Sequence, residues 1–225
     1  MTSLSLLPAF TDETTDSQEV FRHILKAMSE PGTILDIDPV SVPANSRYSK
    51  KIGQNKLSCL WSVAQTLLDS DCSVFVYPSI SDNSFIQSLV FYTGVSIARD
   101  VKEADFIFMS MDELKDINEF NLGGIEKPHL STTALVYVEA ITVDAQIALS
   151  GPGIKGSQSL TLAGLDEEKA SLLQNNHSLY PCGIDFIFCS DTKMTAIPRS
   201  TKISIRNINT ETTKNKTSHL TAEIN

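Results

Sequence analysis

The sequence predicts an α/β protein in which helices cover a mixed β-sheet. Segments with helical apolar spacing alternate along the chain with short runs of β-branched and aromatic residues, a pattern typical of a layered sheet. Two pairs of strand-like segments in the C-terminal half are joined by short turns, so part of the sheet is expected to be antiparallel. The chain has 225 residues, of which 41% are apolar, and this is enough to form a core.

Five segments are predicted to form helices; the first three have amphipathic apolar spacing, the fourth is short and the last is polar. The first is predicted over residues 16–30, with Asp16 as its N-cap and Pro31-Gly32 as its end. We expect five of its residues to face the core: Val20, Phe21, Ile24, Leu25 and Met28. The other helices are predicted over residues 57–69, 83–92, 112–120 and 166–179. In the helix at 83–92, Val90 is also expected to point inward.

Eight segments have the composition of β-strands. They cover residues 33–37, 72–77, 105–110, 132–141, 147–149, 160–162, 184–189 and 194–197. The segments at 147–149 and 160–162 flank a Gly-rich stretch, which predicts a hairpin, and the last two are joined by a four-residue turn. From residue 207 the chain is polar and rich in Thr and Asn. We therefore predict one domain over residues 1–206 and a disordered tail over 207–225.

Composition and charge exclude several classes of function. The formal net charge is -9 and the pI is about 4.9, which disfavours binding to nucleic acid or to an anionic membrane surface. No apolar run approaches the length needed to span a bilayer, and the first ten residues lack the basic start of a secretory signal. The four cysteines are scattered without a C-x-x-C pair. These features predict a cytoplasmic protein with reduced thiols.

Residues 151–156 (GPGIKG) match the pattern G-x-G-x-x-G. A dinucleotide-binding fingerprint needs a helix after the glycines, because the pyrophosphate is bound at the N-terminus of that helix. Residues 157–162 alternate like a strand instead, and Lys155 precedes the last glycine, which also excludes a Walker loop. We interpret the segment as a tight turn between two strands. Alternatively, backbone N–H groups around Gly151 and Gly153 bind an anion or a partner subunit.

A second candidate site is the run Arg199-Ser200-Thr201, which follows a predicted strand and Pro198. A guanidinium next to two hydroxyls can bind a phosphate-like group, because arginine pairs with such anions through two hydrogen bonds. The simpler interpretation is that Arg199 pairs with a carboxylate of the protein. Asp185 is a candidate for that carboxylate, since it lies on the neighbouring strand of the predicted pair.

The sequence offers no strong catalytic or metal site. His177 and Cys182 are five residues apart and could form a nucleophile and base, but residues 181–183 have the composition of a turn and no third partner is evident. The four histidines are far apart and lack ligand spacing, so no metal site is predicted. The catalytic residues, if the chain has any, are unknown from its sequence.

Three blocks of this sequence resemble the PhnH family of bacterial phosphonate metabolism. Residues 21–32 (FRHILKAMSEPG) are similar to the family's F-R-x-L-L-x-A-M-S-x-P-G segment, and residues 149–154 (LSGPGI) to its L-x-G-x-G-I turn. Residues 181–185 (PCGID) and 196–201 (AIPRST) resemble its P-x-G-I-D and A-I-P-R-T motifs. The resemblance covers roughly residues 15–205. Ser200 replaces the threonine that is common in the family, and the C-terminal tail is longer than the resemblance leads us to expect.

The resemblance implies both a fold and a function. Members of the PhnH family have a three-layer α/β/α fold with a mixed sheet, similar to the PLP-dependent transferase fold but without PLP or another cofactor. They are expected to form homodimers when isolated and to join the G, I and J subunits in the carbon–phosphorus lyase core complex. With the G, I and L proteins, the H subunit supports the displacement of adenine from ATP by an alkylphosphonate. That step gives ribose 1-alkylphosphonate 5-triphosphate, and the radical-SAM J subunit later breaks the carbon–phosphorus bond.

Three alternative functions stay open from the residues alone. One is a free-standing phosphometabolite-binding module that uses Arg199 and the glycine turn. Another is a PLP enzyme, which would need a Schiff-base lysine; Lys155 and Lys193 both lie in predicted turns, where solvated lysines are usual. The third is a small hydrolase that uses Cys182 and His177.

Overall fold

The computed structural model describes residues 6–37 and 57–206, which form four α-helices and ten β-strands. The helices are α1 (Glu13–Ser29), α2 (Ser58–Leu67), α3 (Asn83–Thr93) and α4 (Glu167–Ser178). The strands are β1 (Leu35–Asp36), β2 (Ser73–Val76), β3 (Ser96–Ile97), β4 (Phe106–Ser110), β5 (Thr133–Tyr137), β6 (Ile141–Ser150), β7 (Gln158–Leu162), β8 (Asp185–Cys189), β9 (Lys193–Ile197) and β10 (Lys202–Ile205). The predicted tail at 207–225 lies outside the described residues.

The main sheet has seven strands in the order β1-β9-β8-β5-β4-β2-β3. Strands β3, β2, β4, β5 and β8 are parallel neighbours, whereas β9 pairs antiparallel with both β8 and β1. A second sheet of three antiparallel strands has the order β10-β6-β7. The central strands β4, β5 and β8 are buried on both faces, which explains why their sequences are almost continuously apolar. The prediction of an α/β fold with a mixed sheet is confirmed.

Each face of the main sheet is covered by a different layer. Alternate strand residues such as Phe108, Leu135 and Ile187 pack with the buried faces of α1, α2 and α3. Their neighbours, among them Val136 and Phe186, pack on the other side with α4 and the strands of the small sheet. The outer layer on this second side therefore combines a helix with a sheet.

Helix α1 begins earlier than the sequence predicts because a different aspartate caps it. The Asp12 carboxylate accepts a hydrogen bond from the backbone N–H of Thr15 (3.1 Å), so Asp12 is the N-cap and Glu13 the first helical residue. The predicted cap, Asp16, lies within the first turn, where its carboxylate accepts hydrogen bonds from the N–H groups of Thr11 and Asp12 (both 3.0 Å). The carboxylates of Asp12 and Asp16 therefore both accept hydrogen bonds from backbone N–H groups at the start of this helix.

The buried stripe of the helical layer is narrower than the apolar pattern predicts. In α1, Val20, Ile24 and Ala27 are buried, but Phe21 and Leu25 are 45% and 52% exposed. In α3, Val90 is also exposed. The reason is geometric, since a helix that packs on one sheet face buries only the residues nearest that face.

Two predicted elements between residues 110 and 150 are wrong. Residues 112–120 form two single 3-10 turns, Met111–Glu113 and Ile117–Glu119, instead of an α-helix. The Glu113 carboxylate accepts a hydrogen bond from the N–H of Ser110 (2.9 Å), and Asp116 accepts one from Asn118 (2.9 Å). Such local bonds between side chain and backbone compete with helix formation.

The predicted strand at 132–141 is divided between two sheets. Strand β5 ends at Tyr137, and Ile141 begins the ten-residue β6, of which the predicted arm at 147–149 is only the last part. The hairpin itself is confirmed, because Ile147 pairs with Leu160 and Leu149 pairs with Gln158. The short strands β3 and β10 were not predicted.

Candidate functional site

The three blocks that carry the family resemblance meet in the folded chain. The N–H of Gly32, just after α1, donates a hydrogen bond to the carbonyl oxygen of Ala196 in β9 (3.1 Å). A Cβ added to Gly32 would lie 2.7 Å from Leu149 Cδ1, and one added to Gly153 would collide with the carbonyl oxygen of Ser29. The end of α1, the glycine turn and strand β9 are therefore in direct contact, although they lie far apart in the sequence.

The glycine turn is a β-turn region between strands and not a nucleotide-binding loop. It connects β6 to β7, so a strand and not a helix follows it, as the alternation of residues 157–162 predicted. Gly151, Gly153 and Gly156 have φ angles of +132°, +78° and +82°, which L side chains rarely adopt. A Cβ at Gly151 would lie 3.1 Å from the carbonyl oxygen of Ser200. The turn thus lies against both the end of α1 and the β9–β10 connection.

Arg199 is held by two protein groups, the carboxylate of Asp185 and the carbonyl of Pro128, and we call these three residues together the Arg199 clasp. Arg199 Nη2 and Nε donate to the two carboxylate oxygens of Asp185 (2.6 and 3.2 Å), and Nη1 donates to the Pro128 carbonyl (2.7 Å). The Arg199 backbone N–H also donates to Asp185 (2.9 Å). The two side chains are only 14% and 18% exposed. The predicted pairing of Asp185 with Arg199 is confirmed, and the contact with Pro128 was not predicted.

Ser200 and Thr201 are near Arg199 in sequence, but their environments differ from that of the guanidinium. Thr201 is 1% exposed, and its Oγ1 has no hydrogen-bond partner among the described residues. Its backbone N–H donates to the carbonyl of Pro198 (2.9 Å), which forms a tight turn. Ser200 is half-buried beside Gly151. The structure therefore brings Gly151, Ser200 and Thr201 together, while the Arg199 side chain extends to the loop that contains Pro128.

The segment after α4 supports the clasp through a residue that sequence reasoning missed. Asn176 is buried in α4, where its Nδ2 donates to the carbonyl of Ile184 (2.8 Å) and its Oδ1 accepts from the Ile184 N–H (2.9 Å). Gly183, at φ +105°, approaches this amide so closely that a Cβ would lie 2.7 Å from Asn176 Oδ1. The only available signal was an asparagine at an otherwise apolar helix position. Asn176 fixes the start of β8, and therefore the position of Asp185.

No catalytic arrangement is formed by the remaining candidate residues, which are His177, Cys182, Lys155 and Lys193. His177 Nδ1 donates to the carbonyl of Arg199 (3.3 Å), and within residues 6–37 and 57–206 no hydrogen bond joins it to Cys182. Lys155 and Lys193 are both exposed. The four cysteines are unpaired by disulfides. In the same ranges there is no group of three or more His, Cys, Asp or Glu side chains that could bind a metal ion.

Comparison with known proteins identifies the family. The model of the family described as "Bacterial phosphonate metabolism protein (PhnH)" matches residues 8–204, nearly the whole described chain. The chain belongs to the PhnH family. All three blocks quoted above lie within the matched residues.

Two curated relatives support this membership. The "Alpha-D-ribose 1-methylphosphonate 5-triphosphate synthase subunit PhnH" of Rhizobium meliloti (strain 1021) is 29% identical over 196 residues, which cover 87% of this chain and 94% of the relative. A protein of Stutzerimonas stutzeri that is provisionally named as a C-P lyase subunit, HtxG, is 26% identical over 189 residues, 84% of this chain and 86% of its own length. Among the described residues of this PhnH-family chain, no helix is long and apolar enough to cross a membrane.

Proposed function

We propose that this PhnH-family chain is a non-catalytic or co-catalytic subunit of a carbon–phosphorus lyase core complex in organic phosphonate catabolism. In that complex it would support formation of alpha-D-ribose 1-methylphosphonate 5-triphosphate from ATP and methylphosphonate, with release of adenine. The observation that carries the proposal is the nearly full-length similarity to a relative named as a subunit of that synthase. The activity would be a transferase activity of the whole complex, with ATP and the alkylphosphonate bound at the level of the complex.

The geometry of the site supports an assembly role. The Arg199 clasp binds the loop 121–131 through Pro128, and the N–H of Gly183 donates to the carbonyl of Leu122 in the same loop (2.8 Å). This anchored loop presents Ile125, which is 83% exposed, and Leu130, which is also exposed. Apolar side chains displayed on a fixed loop are typical of a protein–protein contact. We propose the loop 121–131 as part of the surface that contacts a partner subunit.

The same geometry argues against a free-standing anion-binding module. Each nitrogen of the Arg199 guanidinium already donates to a protein oxygen, and the Asp185 carboxylate occupies the face that a phosphate would need. An anion would have to displace this carboxylate from a mostly buried position. We therefore assign Arg199 a structural role, and Gly151, Gly153, Ser200 and Thr201 a role in holding the segments around it.

Several finer expectations belong to this proposal. The partners would be the G, I and J subunits, the isolated chain would form a homodimer, and the complex would be cytoplasmic. The domain would have the three-layer fold of the PLP-dependent transferases without binding PLP. Support for these points comes from the family resemblance, together with the exposed positions of Lys155 and Lys193, which are unsuited to a buried Schiff base.

Co-expression tests the proposal. The tagged chain is produced with the G, I and J subunits of the same genome, and the stoichiometry of the purified assembly is measured. The proteins are then combined with the L protein, ATP and methylphosphonate, and adenine release is followed with and without this chain. We expect a stoichiometric complex and adenine release that depends on the chain. If the other subunits assemble and release adenine equally well without it, the proposal is wrong.

A matched pair of variants tests the proposed contact surface. Ile125→Asp places a charge in the anchored loop, whereas Val143→Asp places the same charge at a position in β6 that is also well exposed (62%). Because both side chains are exposed, neither change should unfold the chain. We expect Ile125→Asp to reduce recovery of the complex and Val143→Asp to leave it unchanged. Equal recovery with both variants would place the interface elsewhere.

A further inference from the structure

Two buried cysteines meet where helix α2 packs on the main sheet. Cys59 is in the first turn of α2, and Cys189 is the last residue of β8. Both are fully buried in the core cluster between the helical layer and the main sheet. The Arg199 clasp lies at the other end of β8, where Asp185 begins the strand. The two thiols are therefore not explained by the proposed assembly role.

The hairpin formed by β8 and β9 fixes the position of Cys59. The Cys59 N–H donates to the carbonyl of Asp191 (3.3 Å), and its thiol donates to the carbonyl of Lys193 (3.5 Å). Asp191 is two residues after Cys189, and Lys193 is next to Met194, which pairs with Cys189 across the hairpin. The start of α2 is thus held on the turn that follows Cys189.

The two thiols interact directly. A hydrogen bond to the Cys59 sulfur, together with burial, raises the pKa of the Cys189 thiol well above its usual value. Because the thiolate is the reactive form of cysteine, Cys189 does not react first with an oxidant. Two sulfurs already in contact need only a small further approach to form an S–S bond of about 2.05 Å. Cys189 is therefore suited to react with Cys59 once Cys59 has been oxidised.

Neither of the other two cysteines is placed to pair with Cys189. Cys182 precedes β8, at the opposite end from Cys189, and Cys72 precedes β2, which is three strands away from β8. A five-residue strand is roughly 16 Å long and neighbouring strands are about 4.8 Å apart. Both separations exceed the roughly 7 Å between Cα atoms that a disulfide can bridge.

The first turn of α2 is the part of the helix that can open to admit an oxidant. Its N-cap residue, Leu57, makes no side-chain hydrogen bond to the first turn. A helix end without such a cap is less stable than a capped one, and local opening begins where the backbone is held least firmly. Opening of this turn exposes Cys59 while Cys189 stays paired in the sheet.

We propose that Cys59 and Cys189 form a reversible disulfide that links α2 to the main sheet under oxidising conditions. With hydrogen peroxide as the oxidant, the Cys59 sulfur attacks the O–O bond and becomes a sulfenic acid, and one water is released. The Cys189 thiol then attacks this sulfur, forms the S–S bond and releases a second water. Two thiols thus supply two electrons and two hydrogens, which reduce one peroxide to two waters. The proposal does not depend on a lyase complex, because both thiols belong to this chain.

The test uses the full-length chain with the substitutions Cys72→Ala and Cys182→Ala, which leave Cys59 and Cys189 as its thiols. The folded protein is exposed to hydrogen peroxide, then unfolded and alkylated with N-ethylmaleimide, and its peptides are identified by mass spectrometry. We expect both thiols to be lost, one pair of peptides to be joined through Cys59 and Cys189, and dithiothreitol to restore both thiols. The matched control, which also carries Cys59→Ala, should form no link within the chain. The wild type should give the same linked peptides, so the result does not depend on how well the variant folds.

Thermal unfolding shows whether the disulfide fits the folded structure. A cross-link that closes a long loop restricts the unfolded chain, so the oxidised protein should melt at least about 5 °C above the reduced one. An oxidised protein that melts at or below the reduced one would overturn the proposal. It would also be overturned if peroxide removed no thiols from the folded protein, or if the wild type formed its link through Cys72 or Cys182.

Discussion

The contact between Gly153 and the end of α1 can be tested with three glycine-to-alanine variants that differ in one feature at a time. Gly153 and Gly156 have nearly the same φ, +78° and +82°, so alanine is strained to a similar extent at both positions. At Gly153 the new Cβ would meet the carbonyl oxygen of Ser29 and lie 3.2 Å from Pro31 Cδ, whereas at Gly156 nothing lies within 4 Å. Gly124 has neither a positive φ nor a neighbour within 4 Å, and it serves as the reference.

The expected free energies follow from these differences. A left-handed conformation costs alanine about 1–2 kcal/mol, of which about 0.4–1 kcal/mol is offset by the lower entropy of the unfolded chain. Gly156→Ala should therefore destabilise the protein by about 0–1.5 kcal/mol. Gly153→Ala carries the same strain and in addition forces apart two backbone segments, which adds about 1–3 kcal/mol. For a domain of this size, that extra cost corresponds to a melting temperature lower by about 2–12 °C.

The stabilities of the three variants are compared by urea denaturation, which is followed in parallel by far-ultraviolet circular dichroism and by Trp61 fluorescence. Coincident transitions with equal slopes would justify a two-state treatment of the three variants. We expect the midpoints to decrease in the order Gly124→Ala, Gly156→Ala, Gly153→Ala. If Gly153→Ala and Gly156→Ala unfold at the same urea concentration, the glycine turn does not pack against Ser29, and the convergence of the three blocks is wrong.

Three further predictions concern other parts of the molecule. Arg199→Ala should destabilise the protein by ~3 kcal/mol in urea denaturation, because it leaves the mostly buried Asp185 carboxylate unpaired. The control Arg99→Ala, at an exposed position, should change the free energy of unfolding little. Burial, the negative charge of nearby Asp191 and a hydrogen bond to Asp191 raise the pKa of Tyr137 from 10.0 to about 12, so folding stability should fall as the pH rises from 10 through 12. In thermal melts over this pH range, Tyr137→Phe should lose less stability than the wild type. An identical fall in both proteins would contradict the environment assigned to Tyr137. Phe21→Ser should change the melting temperature much less than Ile24→Ala, because only Ile24 is buried; equal losses would mean that Phe21 is covered by another surface.

The sequence by itself determined the secondary structure in the segments where a local pattern is strong. Helices α2 and α3 and the central strands follow from apolar periodicity, and the hairpin between β6 and β7 follows from glycines between two apolar arms. The pairing of Arg199 with Asp185 could also be predicted from the sequence, since both residues lie at the open end of two strands joined by a four-residue turn. Where local signals compete, as with the two carboxylates at the start of α1, the pattern was insufficient to choose the cap.

The tertiary structure decided which distant segments meet. The contact of Arg199 with Pro128 exists because β8 lies beside β5 in the sheet, which brings the loop before β5 next to the end of β9. The exposure of Phe21 and Leu25 likewise depends on how α1 packs against the rest of the helical layer. Periodicity records only that a residue is apolar at a given spacing, whereas burial and partners are set by contacts between segments that the chain order does not specify. For this reason the elements of the fold could be predicted from the sequence, but the third member of the clasp, the carbonyl of Pro128, could not.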